Sequence, residues 1–143
     1  MNITIILQGK ANSGKTTTLK ELANILIELD NNYDLIKGNL QEYDFIVKLK
    51  INNKIIGIVS IGDDEYNLNK DLNILYKKYP NIDLFFGASR TKGKTVEIHN
   101  NMAKKNKHNI IWTSTYNNKE NLILLNKFKA KELYNLVQEM KII

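Results

Sequence analysis

The stretch Gly9-Lys10-Ala11-Asn12-Ser13-Gly14-Lys15-Thr16 decides how this chain is read. It fits the pattern G-x-x-x-x-G-K-[ST] and stands between a short apolar run, Ile3 to Leu7, and an amphipathic segment that begins at Thr16. The order predicted is therefore buried strand, turn, helix. Gly9 and Gly14 permit backbone conformations and close approaches that a side chain would block, so successive N–H groups from Lys10 to Thr17 can point into one concavity. Such a concavity suits a phosphate, and the free N–H groups and positive end of the following helix add to it. Lys15 is expected to reach the β- and γ-phosphates and the Thr16 hydroxyl to ligate Mg²⁺. Without ligand, the Lys15 ammonium is expected to face solvent.

Outward from this loop, Leu19, Leu22, Ala23, Leu26 and Leu29 recur at three and four residues, the period of an amphipathic helix that stops near Asp30-Asn31-Asn32. A poorly patterned stretch runs to Tyr43. Asp44 to Ile51 and Lys54 to Ile61 then flank Asn52-Asn53, which reads as an antiparallel hairpin with a two-residue turn. Leu68, Leu72, Leu75 and Tyr79 predict a helix closed by Pro80. Ile82 to Ala88 reads as a strand, Thr95 to Lys107 as a short helix, Ile110 to Ser114 as a strand and Glu120 to Met140 as a long terminal helix. Strands alternating with helices imply an α/β fold, with about five mostly parallel strands in a three-layer arrangement over residues 1–143 as one domain.

Composition narrows the chemistry. The 143 residues are 43% hydrophobic and 25% charged, as in a folded globular chain. With no cysteine, disulfide frameworks, zinc–cysteine sites and thiol catalysis are excluded. Two histidines, His99 and His108, do not complete a tetrahedral metal site. The longest apolar runs fall well short of the roughly 20 residues that span a bilayer, and no leader-like apolar segment opens the chain. A cytoplasmic setting without membrane contact is the expectation. Net charge is +6, but 20 of the 21 basic residues are lysine. Bases and phosphates are commonly read by arginine forks, so nucleic acid is only weakly supported as a partner.

Ile58-Val59-Ser60-Ile61-Gly62-Asp63-Asp64-Glu65 ends an apolar strand in acids. Asp63 is expected to hold Mg²⁺ through water from a strand beside the first one, with Asp64 or Glu65 orienting or deprotonating a nucleophile. Equally, these acids suit the N-terminus of the helix that follows. The lone arginine, Arg90, opens a window to His108 with six basic residues against Glu97. Loops at the carboxyl ends of parallel strands line the ligand crevice, so Arg90 is expected to face the glycine loop and offer a fork to transferring phosphates or to a phosphorylated or acidic partner. His99 and Trp112 read as core. Asn118-Lys119-Glu120-Asn121 reads as an Asn N-cap of the terminal helix.

Through Gly9 to Thr16 and the α/β succession over nearly its whole length, the chain resembles the P-loop NTPase superfamily. The first motif is similar to a Walker A and the segment ending in Asp63 to a Walker B. The resemblance implies a three-layer P-loop fold, a nucleoside triphosphate and Mg²⁺. The triphosphate is bound by Gly9, Lys10, Ala11, Asn12, Ser13, Gly14, Lys15, Thr16 and Thr17, with Thr16 and Asp63 at the metal and Lys15, Asp63, Asp64 and Arg90 as the catalytic set. Lys10 stands where partition-type ATPases carry an extra lysine. Asn118 to Asn121 approaches the guanine-reading segment of small GTPases but ends in Asn, whose amide offers one acceptor oxygen where a carboxylate offers two. ATP is therefore expected rather than GTP. Hydrolysis or phosphoryl transfer to a small acceptor, as in a kinase, stands beside a nucleotide-dependent switch acting through a partner.

Overall fold

Ile3 to Leu7 are almost wholly buried, as a central strand covered on both faces requires, and they form β1 (Ile3–Gln8) in the computed structural model, which describes residues 2–41 and 43–143. Among the described residues the chain continues through α1 (Lys15–Ile27), β2 (Asp34–Lys37), β3 (Ile46–Ile51), β4 (Lys54–Val59), α2 (Glu65–Lys78), β5 (Leu84–Ser89), α3 (Lys94–Lys105), β6 (Asn109–Ser114) and α4 (Leu122–Glu139). The sheet order is β2-β3-β4-β5-β1-β6. β4, β5, β1 and β6 run parallel, and β3 is antiparallel to both of its neighbours. Leu19, Leu22 and Leu26 of α1 pack with Ala130, Leu133 and Val137 of α4 on one face. Leu68, Leu72 and Leu75 of α2 cover the other, where Ile98 and Met102 of α3 join them. The three-layer α/β arrangement follows. No helix among the described residues is long and apolar enough to cross a membrane.

The sheet has six strands, one more than the periodicity predicts. β2 lies inside the poorly patterned stretch, because a four-residue edge strand buries little. Polar contacts hold it instead: Asp34 Oδ2 accepts from Lys78 Nζ at 2.7 Å and Tyr79 Oη at 2.5 Å, and Lys37 Nζ donates to Asp71 at 2.7 Å. The β3–β4 hairpin turns at Asn52 (φ 51°) and Asn53 (φ 63°), the paired positive φ values that a two-residue turn between right-twisted strands needs. Leu29 lies beyond the end of α1 and is 51% exposed, so it does not extend that helix's buried face.

One positional expectation is corrected. The strand leading to Asp63, β4, does not lie beside β1, since β5 stands between them. β5 is buried at every position, the environment of a strand with neighbours on both sides. The glycine loop, Ser60, Arg90 and Thr115 nevertheless leave the sheet at the same end, because the carboxyl ends of all four parallel strands lie there.

Candidate functional site

Gly14 takes φ 91° at the N-cap of α1 and Asn12 takes φ 61°, so the loop from Gly9 turns through two left-handed positions before the helix begins. A Cβ on Gly9 would overlap the Ser13 side chain, and one on Gly14 would overlap the amide of Asn126 on α4. Contact thus favours glycine at both positions, and at Gly14 the left-handed φ requires it as well. Lys15 is 5% exposed, against the expectation of a solvent-facing ammonium. Its three N–H donors are drawn inward: Nζ lies 2.5 Å from Gly9 O, 3.1 Å from Lys10 O and 2.6 Å from Asp63 Oδ1. A buried ammonium without ligand needs such partners, because desolvating it unpaired is costly. The Ser13 hydroxyl is buried in this loop with no hydrogen-bond partner among the described residues.

Asp63 lies against Lys15, and Arg90 Nε is 3.6 Å from the same Oδ1. Gly62 makes this approach feasible, since a Cβ there would collide with the Ala88 backbone at the end of β5. Asp64 sits at the N-cap of α2, where its Oδ1 accepts from Tyr66 N at 3.1 Å and its Oδ2 from the Asn67 amide. Asp64 thus caps the helix, and Glu65 is exposed in its first turn, where a negative charge suits the helix dipole. The Thr16 hydroxyl donates to Asp44 Oδ1 at 3.1 Å, and the Ser60 hydroxyl to the same oxygen at 2.9 Å. Thr16, Thr17, Asp44, Ser60, Asp63 and Asn126 border one cavity of about 440 Å³.

A second cavity of about 310 Å³ opens across the glycine loop, between Lys10, Thr91 and the segment Thr115 to Lys119. Lys10 is exposed there. Asn121 occupies the N-cap of α4 but its side chain makes no cap bond. The expected Asn thus stands at the N-cap, while Asn118 closes the turn before the helix, its Oδ1 accepting from Glu120 N at 3.0 Å and Asn121 N at 3.2 Å.

The basic window is divided. Arg90 reaches Asp63 just ahead of α3, whereas Lys104 and Lys105 lie in the last turn of that 12-residue helix and Lys107 just past it, at the far end of an element about 18 Å long. His99 is core, 1% exposed, with Nε2–H donating to Ala88 O at 2.7 Å, where Gly87 leaves room for the ring. Burial pushes its pKa down to about 4, with the Ala88 bond acting the other way. His108 ties β6 to β1 and to the approach to β5, through Thr4 Oγ1 at 3.0 Å and Ile82 O at 2.8 Å.

No family model matches the chain, and no curated protein or solved structure does.

Asp44, Ser60 and Asn126 are the residues at this cavity that sequence reasoning passed over. For Asp44 a signal was available. The hairpin about Asn52-Asn53 pairs Ile46 with Val59, and Ser60 N donates to Phe45 O, so continuing the register sets Asp44 opposite Ile61, at the edge where the glycine loop lies. Asn126 and Lys129 were hidden by their polarity, although both lie on the buried face of α4.

Proposed function

We propose that the loop Gly9 to Thr17 binds the phosphates of a nucleoside triphosphate, ATP rather than GTP, together with Mg²⁺, and that the chain passes the γ-phosphate to water or to a small acceptor. The observation that carries this reading is the Lys15 ammonium, drawn into a loop with two glycines that side chains would fill, beside the unpartnered hydroxyl of Ser13. Buried cations and N–H groups at a helix start are a site for an anion. The Thr16 hydroxyl and the nearby carboxylates are hard oxygen donors of the kind Mg²⁺ takes. On this reading Thr16 and Asp63 are the metal-side residues, Asp63 through water, and the metal supplies charge neutralisation of the phosphates. Lys15 exchanges Asp63 for phosphate oxygens, and Arg90 turns its fork to the transferring group. ATP is favoured because the Asn118 acceptor oxygen is engaged by two backbone N–H groups and no carboxylate stands at position 121.

A second reading, a nucleotide-dependent switch, is favoured by Lys15 and Arg90 sharing one carboxylate. A phosphate that draws Lys15 away from Asp63 alters the partner of Arg90, and with it the loop that a phosphorylated or acidic partner would meet. Incubation with labelled ATP and GTP, resolving products with and without acceptors, separates the readings. Released phosphate supports hydrolysis, a labelled acceptor supports transfer, and tight binding without turnover supports the switch. Preferential binding of GTP would reverse the choice of base.

A further inference from the structure

The carboxylate nearest the Thr16 hydroxyl is Asp44, which lies outside the motif that ends in Asp63. It precedes β3 on the antiparallel hairpin, is half-buried, and borders the cavity in front of the glycine loop. Its Oδ1 stands 3.1 Å from Thr16 Oγ1 and 2.9 Å from Ser60 Oγ. Magnesium binds oxygens at about 2.0–2.1 Å in an octahedron, which sets neighbouring ligands about 2.9 Å apart. Thr16 Oγ1 and Asp44 Oδ1 stand at about that spacing, so one metal could reach both the hydroxyl and this carboxylate once the bond that Thr16 donates is given up. Asp44 Oδ2 accepts no hydrogen bond from the described residues and is left for a cation.

Asp63 is committed differently. Its Oδ1 faces Lys15 Nζ at 2.6 Å and Arg90 Nε at 3.6 Å, both cations. Before phosphate arrives, a divalent ion there would meet two positive neighbours, whereas among the described residues the groups that donate to the Asp44 carboxylate are the hydroxyls of Thr16 and Ser60. Ser60 fixes Asp44 in this position, since its hydroxyl accepts from Phe45 N at 2.8 Å while donating to the carboxylate.

Resting on the proposed binding of a triphosphate, we infer that Asp44 is the carboxylate in direct contact with the metal, beside Thr16, with Ser60 as its positioning residue, while Asp63, the counter-ion of Lys15 and Arg90 before phosphate arrives, comes no nearer the metal than a bridging water. The test uses Mn²⁺ as the metal and a non-hydrolysable ATP analogue, with bound Mn²⁺ read by electron paramagnetic resonance and analogue affinity read separately in excess chelator. Asp44→Asn keeps an acceptor oxygen for Thr16 and Ser60 while losing the charge. It is expected to bind Mn²⁺ in the ternary complex at least about tenfold more weakly, with analogue affinity in chelator unchanged. Asp63→Asn is expected to keep most of its Mn²⁺ affinity. Should Asp44→Asn fail to fold, Asp44→Ser removes the carboxylate without added bulk and is expected to show the same loss. Retention of parental Mn²⁺ affinity in a folded Asp44 variant overturns the inference and leaves the triphosphate reading standing. Failure of the parent to bind the analogue overturns both.

Discussion

Lys15 and Asp63, 48 residues apart in sequence, meet at 2.6 Å, and the Arg90 guanidinium lies 3.6 Å from the oxygen that Lys15 holds. The helix after the glycine loop, the end of β4 and the end of β5 are joined at one carboxylate. Asp63 is 43% exposed and Arg90 48%, so their contact is hydrated and contributes little to stability. The Lys15 side chain is 5% exposed, and there the pairing is needed to keep an ammonium inside the protein. On the proposed function, a phosphate would compete with Asp63 for both cations.

Arg90 is the single arginine in a chain of 20 lysines, and a planar fork is what distinguishes it from them. Arg90→Lys preserves charge and loses two-point contact with phosphate oxygens. If Arg90 acts on charge that develops during transfer, turnover should fall by about 10³–10⁵ with a modest change in nucleotide affinity. Normal turnover with weakened binding of an acidic or phosphorylated partner would make Arg90 a docking contact. No change in either would leave it an ordinary surface residue.

Gly14→Ala combines two penalties. A left-handed backbone at φ 91° costs an alanine about 1–2 kcal/mol, and the new methyl group meets the Asn126 amide. Urea denaturation should show a loss larger than the backbone cost alone. Repeating the substitution in an Asn126→Ala background should recover the contact component and leave the backbone component. Equal losses in both backgrounds would show that α4 does not press on the loop as described.

His99 links stability to pH. Its folded pKa, near 4, lies below the ordinary value of 6.5, so between these values the unfolded chain binds the additional proton. Stability contributed by neutral His99 is complete above about pH 6.5 and declines as pH falls toward 4, with a slope of up to about 1.4 kcal/mol per pH unit. Asp34, held below its usual range chiefly by Lys78, loses its contribution only at lower pH. His99→Gln keeps a donor for Ala88 O and removes the titration. Denaturant midpoints from pH 7 to 4 should therefore fall more steeply for the parent than for this variant, and parallel curves would exclude the linkage.

Much of the architecture was legible because burial writes itself into periodicity. The uninterrupted Ile3 to Leu7, the three-and-four spacing from Leu19, and Asn52-Asn53 between two β-rich segments each correspond to an element observed close to its expected position. β2 was not legible, because Leu35 and Ile36 alone are too few to show a period in an edge strand tied down by Asp34 and Lys37. Strand order was also hidden: nothing local to β4 or β5 reveals which of them adjoins β1. At the site, Gly9 to Thr16, Asp63 and Arg90 are brought together as their motifs suggested. The burial of Lys15 and the position of Asp44 depend on contacts between segments far apart in the chain, which residue spacing does not encode.

The central claim is that Lys15 exchanges Asp63 for the phosphates of a nucleotide. Titration calorimetry of ATP with Mg²⁺ into the parent and into Lys15→Ala, with thermal melting to establish that the variant is folded, tests it most directly. The account predicts saturable binding by the parent and its loss in a folded Lys15→Ala. Equal affinity in the two proteins, or no binding by the parent, would contradict it.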